Sequence, residues 1–415
     1  MKFSFLIPSK NRLELMRHAV DSVRRQEFPD YEIVIADNAS DQDYAGYVKS
    51  LGDARIVYRR ADAPLPVTDN WNRALELASG DYVLMLGDDD ALAPAFRSRV
   101  EPAVGSQSTP DVVYLAGYHY CYPQVMPGSP KGYLASVRNS RFLAGKSAPF
   151  PLPREEAVAV AEASFRFQHL FGFNSQHFLF RSGFLRDIAA LGGIFQSPYP
   201  DTFAAAVSFL KAGSVMVIPE PVVLIGISPK SFGYYYFNDR ATEGYEFLDT
   251  ATMSPDVRAA LEGVVLPGDR NNTNWLVAVE VARRALAPEY PLNVDVGRYR
   301  VLQSVAFLRE IFLKRIRPVE EIEAFLAKLG ESERAGFSGL RAKIEVAAAR
   351  GRGDTARAFA AIDKDMGQFW PAQVSMIDIG RHASIADAIE WLAMNPTAAS
   401  SPAAGWSLSR LLGRK

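Results

Sequence analysis

The sequence predicts an α/β fold: a doubly wound, mostly parallel sheet flanked by helices, followed by a C-terminal helical domain. Three observations carry this reading. Apolar runs of strand length alternate with helical periodicities over the first hundred residues, the arrangement that builds successive βαβ units. Three of those runs end in polar residues, Pro8-Ser9, Asp37-Asn38 and Asp88-Asp89-Asp90. From about residue 241 the strand signals fade and helical patterns dominate.

Phe3 to Ile7 is an apolar run closed by Pro8, and Leu13, Met16, Val20 and Val23 then recur at helical spacing until Pro29. Ile33 to Ala36 forms a second strand ending in Asp37. A short helical pattern carries Tyr44, Tyr47, Val48 and Leu51, and Ile56-Val57-Tyr58 is the third strand. A helix with Trp71, Ala74, Leu75 and Ala78 is closed by Gly80, and Tyr82 to Leu86 reads as a buried strand. Residues 117–153, rich in Pro, Gly and Tyr, read as an irregular insertion whose loops cover the site. A helix near 154–170, a strand from Gln176 to Phe180, helices around Arg181 to Leu191 and from Asp201 to Ala212, and strands Val215 to Ile218 and Val222 to Ile227 follow. The expected domains are 1–240, catalytic and α/β, and 241–394, helical. A flexible tail is expected at 395–415, where Pro, Ala and Ser accumulate.

Composition narrows the function. Lys and Arg total 46 against 47 Asp and Glu, which argues against a general nucleic-acid binder. The single cysteine, Cys121, rules out an internal disulfide and a thiolate metal site. No apolar stretch approaches the roughly 20 residues that span a bilayer, and the N-terminus enters a strand without a signal-peptide pattern. A cytoplasmic protein is expected.

The acidic triplet is the strongest chemical signal. Three neighbouring carboxylates at the end of a buried strand repel one another, and hard oxygen ligands of this kind suit Mg²⁺ or Mn²⁺. That points to an enzyme acting on a phosphorylated substrate. Plainer readings stand beside it. The triplet also serves as a solvated turn capping a helix near Pro94, Asp37-Asn38 as an Asx turn, and Asp201 as a helix-start carboxylate. Lys230 reads equally as a solvated loop lysine. His169, His177, Trp71, Phe165, Phe167, Phe171 and Phe173 read as packing residues, and Tyr234 to Phe237 as either an acceptor surface or packing.

Ile7-Pro8-Ser9-Lys10-Asn11-Arg12, Ile35-Ala36-Asp37-Asn38-Ala39-Ser40, Asn70-Trp71-Asn72-Arg73-Ala74, Ala78-Ser79-Gly80-Asp81-Tyr82 and Leu86-Gly87-Asp88-Asp89-Asp90 together resemble the inverting family-2 glycosyltransferases of bacterial polysaccharide synthesis, whose catalytic domain has the GT-A fold. The resemblance covers about ninety residues. It implies that Asp37 contacts the nucleotide base, with Pro8, Ser9, Asn11, Asn38, Asn70 and Asn72 around the donor, favouring UDP or dTDP sugars. It implies that the triplet stands for the family's Asp-x-Asp motif, holding Mg²⁺ or Mn²⁺ and, through Asp88, the ribose. Asp88 with Asp90 fits the literal spacing and Asp88 with Asp89 fits an adjacent pair, so all three remain candidate ligands.

Asp201, about a hundred residues beyond the triplet, is the candidate general base, because an acceptor hydroxyl loses its proton as it attacks. Gly226 to Gly233 resembles a loop that follows the core in related sequences, where Lys230 would meet the diphosphate. No histidine follows Gly226 until His382, so a further histidine ligand of the kind some members use is not expected. The implied activity is a metal-dependent hexosyl transfer from a nucleotide sugar to a saccharide or lipid-linked acceptor. Peripheral membrane contact would run through the basic amphipathic segments Arg298 to Arg317 or Trp406 to Lys415. The alternatives are a sugar-phosphate nucleotidyltransferase, which would normally carry a glycine-rich loop after the first strand, and a non-catalytic nucleotide-sugar-binding protein.

Overall fold

The computed structural model describes residues 1–105, 109–196, 198–238, 254–287, 289–314 and 319–396. The chain divides into two compact units. The first comprises residues 1–159, 171–251 and 371–414; the second comprises 160–170 and 252–370.

In the first unit, β1 (Phe3–Ser9), α1 (Leu13–Arg24), β2 (Tyr31–Asp37), α2 (Tyr44–Leu51), β3 (Ile56–Arg60), α3 (Val67–Glu76) and β4 (Tyr82–Met85) alternate as the sequence predicts. Helix α1 buries Met16, Ala19, Val20 and Val23, a stripe at three- and four-residue spacing that seats it on the sheet. Helix α2 starts at Asp43, whose side chain accepts from the Gly46 N–H at 2.7 Å, and stops at Gly52 in the left-handed conformation. The four strands run parallel in the order β4-β1-β2-β3. Strands β1, β2 and β4 are buried along their whole length, which is why they read as apolar runs rather than alternating ones.

Beyond β4 the sheet becomes mixed. Short β5 (Ala91–Leu92) and α4 (Phe96–Val104) lead to β6 (Val112–Cys121), β7 (Tyr133–Arg138) and β8 (Phe150–Pro151). After α5 (Arg154–Phe165) come β9 (Phe178–Arg181), α6 (Ser182–Asp187), α7 (Pro200–Lys211), β10 (Val215–Ile227) and α8 (Phe232–Phe237). Strand β9 lies antiparallel between β4 and β6, β7 is antiparallel to β6, and β10 is parallel to β6. The sheet is therefore wholly parallel in its first half and mixed in its second.

Residues 117–153 correct the expectation of loops over the site. They are mainly the end of β6, a turn and β7. Pro123, Pro127, Gly128, Pro130 and Gly132 fall in the turn between the two strands, and Tyr118, Tyr120, Tyr122 and Tyr133 are buried in a core cluster. The punctuating residues mark the hairpin turn, and the tyrosines mark its strands. Similarly, the two strands expected at 215–227 are one strand whose register shifts around Pro221, because the prolines interrupt the ladder without ending it.

A further correction concerns residues 371–394, expected in the helical domain. Strand β11 (Gln373–Ile377) pairs with β7. The last described helix of the chain, Ile385–Met394, buries Ile385, Ala388, Ile389 and Leu392 in the same cluster as Tyr118 and Tyr120. Both elements belong to the first unit. In the second unit, Phe307, Phe325, Phe337, Ile344 and Phe359, from four helices, close an apolar core. The boundary expected near residue 240, most of the 395–415 tail, and Arg315 and Arg317 lie outside the described residues.

Candidate active site

The parallel register of β1 and β4 builds the centre of the site. Leu6 stands opposite Met85, and three residues further along each chain come Ser9 and Asp88. Ser9 Oγ donates to Asp88 Oδ2 at 2.6 Å. Since that hydroxyl has one proton, the 2.6 Å contact between Ser9 Oγ and Tyr44 Oη is a bond donated by the tyrosine. Tyr44 Oη in turn accepts the Arg12 N–H at 2.9 Å. Between β4 and the triplet, Gly87 adopts φ +24°, and a Cβ there would fall 2.4 Å from Asp90 Oδ2. Glycine is what lets the chain fold the third carboxylate back beneath the strand end.

The three carboxylates have three different environments. Asp88 pairs with the Arg12 guanidinium, Nη1 to Oδ1 at 2.9 Å, and both side chains are buried. Burial opposes the Arg12 charge, but Asp88 and Asp89 outweigh it and hold the guanidinium pKa above its ordinary value. Asp89 Oδ2 accepts from Ser228 Oγ at 2.7 Å. Burial pushes the Asp89 carboxyl up to about 6, opposed by Arg12 and reinforced by the charge of Asp88. Asp90 is 2% exposed. It receives the Gly226 N–H at 2.8 Å on Oδ1 and Gln176 Nε2 at 2.6 Å on Oδ2. Burial, then the neighbouring Asp89, raises its pKa well above its ordinary value.

Two loops meet over this cluster. Arg12 donates through Nη2 to the Lys230 carbonyl, and Lys230 Nζ donates to the Asn11 carbonyl at 2.7 Å. Lys230 is thus beside the triplet loop but tied to backbone. Asp201, at the start of α7, is half-buried, and its Oδ1 takes both the N–H and the Oγ of Ser175 at 2.6 Å. Burial raises its pKa, opposed by those two bonds.

The structure therefore gathers Ser9, Asp88, Asp89, Asp90 and Lys230, and brings Asp201 to them through Ser175-Gln176. The other expected residues are engaged elsewhere. Asp37 is fully buried; its Oδ1 takes the Ser40 N–H and its Oδ2 the Tyr58 hydroxyl, each at 2.9 Å. The Asp37 carboxylate closes its own loop on the N–H three residues on. Asn38 bridges the Leu65 backbone with both amide atoms, and Asn11 takes the Asp41 N–H on Oδ1 while its Nδ2 donates to the Asp41 carboxylate. Asn70 donates to the Ala36 carbonyl at 3.1 Å and Asn72 to that of Phe195 at 2.8 Å. These asparagines brace the loops. Pro8 is a buried member of β1.

Arg12, Ser228, Gln176 and Ser175 are the functional residues that spacing did not single out. Arg12 and Ser228 lay within quoted motifs, but only the fold shows that they answer the triplet. His177, lowered to about 4 by burial, donates through Nδ1 to the Leu115 carbonyl at 2.7 Å, and His169 stacks on Trp275 at 3.8 Å. Both are structural, as the packing reading holds. Tyr234 packs against the Tyr118 cluster.

A divalent cation fits this donor set at one point. Asp88 and Asp90 spend both oxygens on protein donors, whereas Asp89 Oδ1 takes no side-chain donor from another described residue. One carboxylate oxygen completed by substrate phosphates and water is the usual way Mg²⁺ is held. No set of three ligating side chains is preassembled among the described residues. No described helix is long and apolar enough to cross a membrane.

The sequence model of Glycosyl transferase family 2 matches residues 4–134. The chain is 35% identical over 117 residues to a PGL/p-HBAD biosynthesis glycosyltransferase of Mycobacterium bovis, covering 27% of this chain and 45% of that one. It is 36% identical over 94 residues to the GalNAc(5)-diNAcBac-PP-undecaprenol beta-1,3-glucosyltransferase of Campylobacter jejuni, covering 22% and 30%. The chain thus spans less than half the length of these curated relatives. Among solved structures, S. aureus TarS 1-349 in complex with UDP-GlcNAc aligns over 89% of this chain and 90% of its own, with 14% identity and a TM-score of 0.43. The matched segment contains β1 to β4, the acidic triplet and β6. Over residues 4–134, this chain resembles glycosyl transferase family 2.

Proposed function

We propose that the protein is an inverting glycosyltransferase that moves a sugar from a nucleotide-diphosphate donor to an acceptor hydroxyl in the synthesis of a surface polysaccharide or glycolipid. The observation that carries this reading is the meeting of Ser9, Asp88, Asp89 and Asp90 at the carboxyl ends of β1 and β4, with Asp201 joined to the same cluster through two consecutive residues. Ligands of open α/β sheets collect at that edge.

Asp89 would hold Mg²⁺ or Mn²⁺ against the donor diphosphate, where the cation neutralises the charge that grows on the leaving group. Asp88, already balanced by Arg12, keeps its geometry without needing the ion. Asp90, hydrogen-bonded on both oxygens, anchors the loop. Lys230 lies near enough to Asn11 to bring an ammonium to the same mouth. Asp201 takes the proton of the attacking acceptor hydroxyl. Its raised pKa strengthens it as a base once ionised, and the bonds to Ser175 fix the direction in which it accepts.

The acceptor is a saccharide or lipid-linked saccharide, and a site on the cytoplasmic face of a membrane would suit it. Thermal unfolding with UDP, dTDP and GDP, each with and without Mn²⁺, tests the reading, because a ligand that binds only the folded chain raises its apparent stability. One diphosphate should stabilise the protein in Mn²⁺ by several degrees and lose most of that effect in EDTA. No stabilisation by any of them would remove the donor site. Release of nucleotide from UDP-glucose, UDP-GlcNAc or a dTDP sugar, with water as acceptor, separates a transferase from a binding protein. Pyrophosphate release from UTP and a sugar phosphate would instead mark a nucleotidyltransferase.

A further inference from the structure

We propose that Ser175 and Gln176 are positioning residues, a two-residue brace through which the base and the acidic triplet set one another's geometry. The proposal rests on the functional reading above and extends it. Ser175 grips Asp201 Oδ1 with its N–H and its hydroxyl, both at 2.6 Å, and the next side chain donates to Asp90 Oδ2 at 2.6 Å. No hydrogen bond joins Asp201 to the triplet directly among the described residues. Among the described residues, this turn is the short polar path between Asp201 and the triplet.

The turn is built to transmit rather than to absorb. It is a single 3₁₀ turn, Ser175–His177, entirely buried: Ser175 is 0% and Gln176 8% exposed. His177 ties it to β6 through the Leu115 carbonyl, and its ring stacks on Tyr114 at 5.2 Å and 12°. On the other side a Cβ at Gly172 would meet His177 Nε2 at 2.6 Å and Asn139 Oδ1 at 2.8 Å. The floor beneath the turn is therefore close-packed. A shift of Ser175 must move Gln176, since neither has room to relax alone. Two donors on one oxygen also fix the plane of the Asp201 carboxyl and leave Oδ2 without a side-chain donor among the described residues, the atom placed to receive a proton. Hydrophobic side chains would fill this turn equally well if it served packing alone.

The test is a double-substitution cycle read in nucleotide affinity on the full chain, which needs no knowledge of the donor sugar. The probe is the nucleoside diphosphate, UDP, dTDP or GDP, that binds wild type in Mn²⁺, measured by calorimetry. Asp201→Ala frees Ser175 and should weaken that affinity about three- to tenfold, within the range of coupling between residues of one network. In the Gln176→Leu background, where the path to Asp90 is cut, Asp201→Ala should have no further effect. If Asp201→Ala lowers expression of folded protein, Ser175→Ala replaces it, with the same background dependence expected at smaller size. Independent effects of the two substitutions on the dissociation constant, or no effect of Asp201→Ala, would overturn the brace while leaving the donor site standing. Failure of wild type to bind any of the three nucleotides in Mn²⁺ would overturn the functional reading and the brace with it, a separate result.

Discussion

Gly226 is where the site is least tolerant of one added carbon. A Cβ at this position falls 1.8 Å from the Asp89 carbonyl oxygen and 2.7 Å from its carbonyl carbon. Both are backbone atoms, so no side-chain rotation relieves the clash. The two segments must part by roughly 1.2 Å before the contact reaches 3.0 Å. That displacement breaks the 2.8 Å bond from the Gly226 N–H to Asp90 and strains the Ser228 bond to Asp89 at 2.7 Å. Overpacking a close-packed site costs about 1–3 kcal/mol, and a buried hydrogen bond left unmade about 1–3 kcal/mol more. Because both follow from one movement they do not simply add, and about 3 kcal/mol is the expected loss for Gly226→Ala. At roughly 2–4 °C per kcal/mol for a domain of this size, the melting temperature should fall by about 6–12 °C. Differential scanning fluorimetry measures this, and calorimetry with UDP and Mn²⁺ should show weakened binding in the same variant. A fall below about 2 °C with unchanged nucleotide affinity would refute the reasoning, because it would mean that β10 does not pass against the Asp89 carbonyl.

Gly87→Ala should act through Asp90 alone, since its Cβ meets that carboxylate at 2.4 Å and Gln176 at 3.3 Å; at φ +24° an unfolding free energy lower by about 1–3 kcal/mol is expected by urea titration. Asp89→Asn should abolish the Mn²⁺-dependent part of nucleotide binding, measured as the difference between calorimetric titrations in Mn²⁺ and in EDTA, and retention of that difference would place the ion elsewhere. Arg12→Gln leaves Asp88 buried without its charge partner and should cost about 3–5 kcal/mol of stability by urea titration, whereas Arg12→Lys, a point charge without the fork that also reaches the Lys230 carbonyl, should recover only part. Burial raises the Asp201 pKa, and the base works only when ionised, so activity should be full above that raised value and fall as pH drops through it; an acid limb below pH 4, where an ordinary aspartate titrates, would contradict the assignment.

What the sequence made legible was whatever repeats at short range. The βαβ alternation of residues 3–86 followed from buried apolar runs and from helix periodicity, and the structure keeps those elements nearly in register with it. The hairpin at 112–138 was obscured because its turn is dense in Pro and Gly while its strands carry tyrosines on a buried face. Composition alone assigns such a stretch to loops. Strand β11 was missed for a different reason: its partner is β7, more than two hundred residues earlier, and no local pattern announces that pairing. The same limit explains the brace. Gln176 and Ser175 gain meaning only when β9 inserts beside β4 and carries the turn preceding it to the triplet.

The triplet shows how far residue type can go. In the sequence Asp88, Asp89 and Asp90 are indistinguishable, and spacing permits two choices of ligand pair. Their separation is a matter of partners. Asp88 receives a guanidinium from the loop after β1, because parallel strands in register end side by side. Asp90 is turned beneath β4 by Gly87 and is met there by a backbone N–H from β10 and an amide from the turn before β9. Asp89, between them, is left with one hydroxyl donor and a carboxyl titrating near 6. Burial disfavours the charged form of that carboxyl. One of three chemically identical neighbours thereby keeps an oxygen that takes no side-chain donor from another described residue, and the other two have both oxygens engaged by protein donors.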